Sequence, residues 1–307
     1  MPRHYEPIEN IAVIIVTYNC AELIEKCLDA CLLSTERSCD IIVVDNGSSD
    51  ATKEILRNYH SSVQLIESTN LGFAHGCNLG IKAALHAGNQ YQAILFLNPD
   101  VLLPAGSIDR MVEVLFAQPE FGGVSPHSVE HPGADRNRLK SLLGACMDVK
   151  PLKGRDVVVI DRLQGCCMLW RPEAIQRIGL LDENYFLYWE ELDYSLRATK
   201  AGFTLLHCYD IVVSHRYGSY ERAHRVYYMW RNQFRFASRN YRSPQRFVFL
   251  LRRLLSCVKD LSHYVRSGRI DLVRAAFAGL VAALRHKTGK GESVWAKPQP
   301  ICFGTRK

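Results

Sequence analysis

Four short apolar runs, at residues 11–16, 40–44, 63–66 and 93–97, punctuate the first hundred residues of the chain. Between them the apolar residues recur every three or four positions, as in Leu23, Ile24, Cys27, Leu28, Cys31 and Leu32. Short apolar runs read as strands and the three-and-four spacing as helix faces, so the chain opens strand, helix, strand, helix. Such alternation requires a parallel, doubly wound sheet with helices packed on it. The fourth run stops at Asn98-Pro99-Asp100, because proline has no N–H for a sheet ladder. Asp100, and Asp45 after the second run, then stand at the carboxyl ends of strands, where open α/β sheets bind ligands. Gly47 permits a tight turn after Asp45, and Ser48 or Ser49 is placed to cap a helix over 52–59. No Gly-x-Gly-x-x-Gly follows the first run and no Walker lysine motif occurs, which argues against dehydrogenase and P-loop chemistry.

The 307 residues suit one large α/β domain with an appendage, and charge marks the division. Residues 222–307 carry 19 Lys or Arg against three Asp or Glu, whereas residues 1–221 carry 19 against 28. An acidic body with a basic tail predicts a polyanionic partner surface, with anionic lipid ahead of nucleic acid. The eleven cysteines form no Cys-x-x-Cys pair and no zinc spacing, the pattern of a reduced, cytoplasmic protein. Residues 1–10 lack the apolar core of a signal peptide, and no run reaches the length of a membrane span.

Later segments extend the pattern. Residues 105–118 read as a helix with Met111, Val112, Leu115 and Phe116 on one face. From Ser125 to Asp161 prolines, glycines and basic residues predict a long surface excursion, either a binding loop or a plain surface loop. A strand over 163–170, a helix from Pro172 to Ile178 ended by Gly179, and a strand over 205–213 follow.

Four blocks taken together carry a resemblance: Val16-Thr17-Tyr18-Asn19, Asp45-Asn46-Gly47-Ser48-Ser49-Asp50, Asn70 to Gly80 with Gly72, Phe73, Ala74, Gly76 and Asn78, and Leu97-Asn98-Pro99-Asp100. In order and spacing they resemble the inverting family 2 glycosyltransferases, above all the bacterial branch of rhamnosyltransferases and related cell-surface polysaccharide enzymes. The acidic-aromatic block 182–197 and Ser214-His215-Arg216 resemble the second half of that family, so the resemblance spans residues 11–219. It implies a GT-A nucleotide-binding fold, with a mostly parallel central sheet flanked by helices and a basic helical C-terminal extension. Residues 1–221 would be the catalytic domain, with a nucleotide half at about 11–124 and an acceptor half at about 125–221, and residues 222–307 the extension.

The resemblance also assigns roles. Asp100 and His215 become ligands of Mn2+ or Mg2+, a hard cation that neutralises a leaving diphosphate. Asp45 accepts from the imide of uracil or thymine, and Tyr18 packs on the base. Thr17 and Asn19 shape the turn beside them. Asn70, Gly72 and Asn78, with Gly80, form a loop and helix start against the diphosphate, unless the glycines serve packing alone. Glu191 stands where the family most often carries its aspartate base, and Glu190 is the alternative base. Asp193 and Arg197 are spaced as an i,i+4 ion pair. The reaction expected is metal-dependent transfer of a sugar, rhamnose included, from a dTDP- or UDP-sugar to a glycan or lipid-linked acceptor. Two rival readings stand beside it: a sugar-nucleotide-binding protein without catalysis, suggested by Glu191, and a nucleic-acid binder working through the basic tail.

In that tail Tyr227-Tyr228-Met229-Trp230-Arg231-Asn232 opens a helix, and Tyr-x-x-Arg-Asn resembles a feature of the same branch. Phe247, Leu250, Leu251, Leu254, Val258, Leu261 and Val265 form an apolar face with arginines nearby, and residues 270–284 a shorter helix. Such helices suit the surface of an anionic bilayer, placing the protein on the cytoplasmic face of the cell membrane, though they equally suit packing on protein. Residues 289–307 read as a frayed end.

Overall fold

The computed structural model describes residues 10–86, 91–129, 150–151, 156–216 and 223–291. The chain divides into two compact units. The first comprises Met1–Asn70, Gly76–Leu180 and Tyr194–Arg216, and the second Leu71–His75, Leu181–Asp193 and Tyr217–Lys307.

The first unit is built on one sheet. Its N-terminal strands are β1 (Asn10–Thr17), β2 (Ser38–Asp45), β3 (Val63–Glu67) and β4 (Ala93–Leu97), each where an apolar run lies. The helices α1 (Ile24–Leu32), α2 (Thr52–Asn58) and α3 (Phe73–His86) alternate with them. Pairing of β1 with β2 and β4, and of β2 with β3, is parallel throughout. Every residue of β4 is buried, as expected of a parallel strand covered on both faces. On α1 the buried positions Ile24, Cys27, Leu28 and Cys31 follow the helical period. They join Val13, Ile15, Leu95 and Leu97 in the main core. α1 starts at Ile24 because Cys20 O first accepts from both Leu23 N and Ile24 N, closing a turn ahead of the helix.

Beyond β4 the sheet becomes mixed. The remaining strands are β5 (Val101–Leu102), β6 (Phe121–Val129), β7 (Lys150–Pro151), β8 (Val157–Ile160), β9 (Cys167–Trp170) and β10 (Thr204–His215). The order is β3-β2-β1-β4-β9-β6-β10-β8-β7, with β5 on β10. β9 runs antiparallel to β4 and β6, while β6 and β10 are parallel. The helices α4 (Ser107–Leu115), α5 (Pro172–Ile178) and α6 (Glu190–Lys200) accompany these strands in the chain.

Part of the expected surface excursion is core. Residues 125–129 continue β6, all buried, and pair with β10. Pro126 hid this strand, since a central strand rarely tolerates the missing donor. The structure accommodates it by an irregularity: Pro126 faces Cys208, and the register of β10 jumps from Cys208 to Val212 immediately after. The basic residues of the expected excursion, Arg136, Arg138, Lys140, Lys153 and Arg155, lie outside the described residues.

The second unit is helical, with α7 (Ala223–Asn240), α8 (Ser243–Arg266) and α9 (Ile270–Leu284) following a short 3-10 turn at Glu183–Tyr185. Val226, Trp230, Cys257, Leu272, Ala275 and Ala276 form its core. All three helices stand where the sequence period places them. The first residues of the expected frayed end are held instead: Arg231 Nη1 donates to Gly289 O at 2.7 Å and Gly291 N to the Tyr228 hydroxyl at 2.9 Å. Residues 292–307 lie outside the described set.

Gly80 fixes how closely α3 lies on β1. A Cβ there would sit 2.4 Å from Ile14 Cγ2 and 3.1 Å from Ile14 Cγ1, and Ile14 is a stiff, fully buried strand residue. Gly80→Ala is therefore expected to lower unfolding stability by about 1–3 kcal/mol, despite alanine's better helix propensity. Urea denaturation monitored by circular dichroism checks this, and a neutral or stabilised variant would contradict the packing assignment.

Candidate functional site

The carboxyl ends of β1 and β2 are tied into one structure by short polar side chains. Asn19, at φ 49°, donates its backbone N–H to Ser48 Oγ (2.9 Å), and its Oδ1 accepts from Ser49 N (2.7 Å). Cys20 N donates to Thr52 Oγ1 (2.8 Å) and Ala21 N to Asp50 Oδ2 (3.2 Å). Asp50, rather than Ser48 or Ser49, meets the first turn of α2, accepting from Thr52 N at 3.0 Å. The serines are drawn away because Ser48 donates to Asp45 and Ser49 turns toward Asn19.

Asp45 is fully buried, with Oδ2 accepting from Gly47 N (3.1 Å) and Ser48 N (3.0 Å) and Oδ1 from the Ser48 hydroxyl. Lys53 Nζ lies 3.7 Å away. Its carboxylate thus shapes the turn, and Tyr18 is the half-buried side chain left at this edge. Thr17, paired to Asp45 in the ladder, is buried and accepts from Asn46 N through its carbonyl (2.8 Å). Asn78 is buried on α3 and Asn70 half-buried ahead of it.

The second constellation of this unit joins two residues far apart in sequence. After Pro99 the chain turns into β5, which pairs antiparallel with the last residues of β10, setting Val101 against His215 and Leu102 against Ser214. Asp100, next to Val101, is thereby brought to His215, with Oδ1 3.3 Å from Nε2 and both side chains largely buried. His215 is the terminal residue of β10 rather than a loop residue. Burial disfavours its charged ring, but the Cys166 sulfur and the Asp100 carboxylate outweigh that and push its pKa up to about 10. Asp100 Oδ1 is left without a well-formed hydrogen bond among the described residues. A buried, under-satisfied carboxylate oxygen beside an imidazole nitrogen is a mixed oxygen and nitrogen donor pair, the chemistry that fits manganese. Among the described residues no group of three or more His, Cys, Asp or Glu completes a metal cage, so a cation here needs further oxygen donors.

Residues 182–193 of the acidic-aromatic block belong to the second unit. Phe186, Tyr188 and Trp189 have φ of 66°, 64° and 81°, the left-handed region that costs a bulky L-residue about 1–3 kcal/mol each. Asn232 Nδ2 lies 2.9, 2.8 and 2.9 Å from the carbonyl oxygens of Tyr185, Leu187 and Tyr188. Arg231 Nη2 donates to Tyr185 O at 2.7 Å, and its Nε to Asn232 Oδ1 at 2.8 Å. Gly72 lies against the same segment: at φ 106° its missing Cβ would stand 2.4 Å from Phe186 O, so packing alone demands glycine there. Asp182 is gripped by Arg235, and Asp193 accepts from Asn240 Nδ2 (2.6 Å) and the Tyr185 hydroxyl (3.3 Å).

Two glutamates follow this strained stretch at the start of α6. Glu190 is 6 % exposed, its Oε2 accepting no hydrogen bond among the described residues. Burial, then the charge of Glu191, push its carboxyl up to about 8. Glu191 is half-buried. Sequence reasoning marked Arg231 and Asn232 as part of a Tyr-x-x-Arg-Asn resemblance without giving them a role, and it missed Asn240. The available signal was Arg231 and Asn232 lying four residues after Tyr227 and Tyr228, polar residues on an apolar face.

Residues 12–177, more than half of the chain, match the sequence pattern described as Glycosyl transferase family 2. The chain belongs to that family. Over 297 residues it is 23 % identical to the low-salt glycan biosynthesis hexosyltransferase Agl10 of Haloferax volcanii, covering 93 % of this chain and 94 % of that protein. It is 28 % identical over 219 residues to the N-acetylglucosaminyl-diphospho-decaprenol L-rhamnosyltransferase of Mycobacterium tuberculosis, covering 63 % and 71 %. Among solved structures it resembles the mannosyltransferase PcManGT from Pyrobaculum calidifontis, solved with GDP-Man and Mn2+, at a TM-score of 0.61 and 18 % identity over 92 % and 89 % of the chains. The fold of this family 2 glycosyltransferase is thus GT-A-like, a mixed central sheet flanked by helices, with a C-terminal helical extension.

Burial of Glu190 has a consequence for stability. Its pKa rises from 4.5 to about 8 on folding, so between these values the folded chain holds a proton that the unfolded chain has lost. Stability therefore falls as pH rises through that window. Glu190→Gln is expected to melt above wild type at pH 8.5 and to match it near pH 5. Melting curves across pH check this; an equal difference at both values would contradict it.

Proposed function

We propose that this family 2 glycosyltransferase moves a hexose, rhamnose being the first candidate, with inversion from a dTDP- or UDP-sugar to a hydroxyl of a glycan or lipid-linked acceptor. The observation that carries the reading is the approach of Asp100 to His215 at a strand-end turn, in a chain of this family. Those two side chains would hold Mn2+ or Mg2+, with diphosphate oxygens completing the donors. Such a cation supplies charge neutralisation for the leaving diphosphate. Relatives named as a hexosyltransferase and an L-rhamnosyltransferase support the donor class, and the Mn2+ and GDP-Man of the mannosyltransferase support the cation.

Tyr18 packs on the base at the edge of the turn that Asp45, Asn19 and Thr17 shape. Asn70 and Asn78 flank the loop and helix start that face the diphosphate, while Gly72 serves the backbone. The acceptor's proton goes to Glu191, which is less buried than Glu190. Glu191→Gln is expected to lower kcat by about 10²–10⁴-fold, and Glu190→Gln by much less; the reverse order would move the base to Glu190.

The C-terminal helices are assigned to the cytoplasmic face of a membrane. No helix among the described residues is long and apolar enough to cross one. On α8, however, Phe247, Leu251, Leu254, Val258 and Val265, spaced by threes, fours and sevens, are exposed. Exposed Arg252, Lys259 and Arg266 run beside them at intervals of seven. A second copy of α8 would set this basic row against its like, whereas an anionic bilayer complements both stripe and charge. Val258→Asp is expected to abolish co-sedimentation with phosphatidylserine vesicles; undiminished binding would contradict the assignment.

A thermal-shift screen of nucleotide sugars with and without Mn2+ tests the central reading. One dTDP- or UDP-sugar should raise the melting temperature more with Mn2+ than without, and Asp100→Ala should remove that difference. No shift with any nucleotide sugar would overturn the proposal.

A further inference from the structure

We propose that Asn232 and Asn240 of α7, with Arg231, are positioning residues that hold the Glu190–Glu191 pair in place for proton removal. This rests on the reading of that pair as the site of the acceptor base.

The backbone just before the pair adopts a conformation its own sequence resists. Phe186, Tyr188 and Trp189 all lie at positive φ. Such residues persist only where surrounding structure over-determines them. Here the surroundings are specific. One amide nitrogen, Asn232 Nδ2, faces three successive-turn carbonyls, those of Tyr185, Leu187 and Tyr188, all within 2.9 Å. An amide has two hydrogens, so the carbonyls must share them, and the nitrogen is fully committed. Its orientation is fixed in turn, because Asn232 Oδ1 accepts from Arg231 Nε. Arg231 spreads its remaining donors over Tyr185 O and Gly289 O and lies over the Tyr228 ring at 4.8 Å. Both polar side chains are almost wholly buried, Arg231 2 % and Asn232 1 % exposed. Arrangements of this kind are held rigidly or not at all.

The same helix also grips the far side of the pair. Asn240 Nδ2 donates to Asp193 Oδ1 at 2.6 Å, two residues after Glu191. Tyr185, whose carbonyl meets both Asn232 and Arg231, sends its hydroxyl to that carboxylate as well. The two glutamates are thus bracketed: carbonyls on one side and a carboxylate on the other are fixed by donors from a single helix. A segment needing only to connect two helices would relax its positive φ values or use glycine. A device that sets the direction of two side chains needs the opposite, a backbone with one permitted path. A displacement of about 1 Å at a catalytic group can cost about 10²-fold in rate.

The test uses the full chain with Asn232→Asp, which keeps shape and removes both donors, and Asn240→Ser, which touches only the far side. Carboxyl labelling with a carbodiimide and glycine ethyl ester, read by mass spectrometry, reports where Glu190 is. Labelling of Glu190 should rise about tenfold in Asn232→Asp as the segment opens locally, with UDP affinity by titration calorimetry unchanged. With a donor that wild type uses, kcat should fall about 10²-fold at unchanged donor KM in Asn232→Asp, and less in Asn240→Ser. Unchanged Glu190 labelling in both variants would overturn the proposal. So would a loss of kcat that is matched by losses of UDP affinity and melting temperature, the mark of a merely structural role. A wild type that transfers no sugar sinks the glycosyl-transfer reading instead, and the labelling arm still decides whether α7 fixes the pair.

Discussion

A pairing of two residues on two residues determines what the first unit can do. β5 is only Val101–Leu102, yet its ladder with the end of β10 is what brings Asp100 to His215 across more than a hundred residues of chain. Proline 99 makes this possible by ending β4, so that the chain must turn before it can pair again. The parallel order β3-β2-β1-β4 places the ends of β1, β2 and β4 on one edge of the sheet, and the polar turns after β1 and β2 are cross-linked there by Asn19, Ser48, Asp50 and Thr52. The edge is rigid because buried polar groups find partners in one another rather than in water.

The second unit achieves rigidity differently. Tyr227 and Tyr228 of α7 and Ala282 of α9 bury Phe186, while much of α8 is exposed, with Phe247 at 69 %. Order in the 182–193 segment comes from hydrogen bonds to backbone carbonyls and from the bidentate grip of Arg235 on Asp182, Nε on Oδ2 at 2.9 Å and Nη2 on Oδ1 at 3.0 Å. Such charge-assisted pairs fix direction as well as distance. The glutamates that follow inherit that order, and their unlike burial separates a proton-holding carboxyl, Glu190, from one that meets solvent.

Much of this was legible in the sequence, for identifiable reasons. The parallel strands showed because each is buried on both faces and so reads as an unbroken apolar run. Asp100 and His215 were legible through their motifs, and their meeting follows from strand pairing that no local pattern encodes. β6 was obscured by Pro126, whose lost donor is absorbed by an irregularity in the neighbouring strand. That Asp45 also holds its own turn, accepting from Gly47 N, Ser48 N and the Ser48 hydroxyl, was not legible from its place after a strand. Adjacent glutamates cannot be ranked by burial without coordinates, since neighbours on a helix differ by about 100° in direction. Asn232 stood out through Tyr-x-x-Arg-Asn, but its role was not legible, because its partners are main-chain carbonyls, which leave no signature in side-chain identity.

Manganese binding followed by electron paramagnetic resonance, with and without UDP, tests the proposed metal–diphosphate site most directly. Two protein donors are too few to hold the ion firmly, so wild type should bind Mn2+ tightly only when UDP adds its oxygens. Asp100→Asn and His215→Ala should each lose that UDP-dependent binding while UDP itself is still bound, more weakly. Equal UDP-dependent Mn2+ binding by wild type and both variants would contradict the assignment of the site to Asp100 and His215.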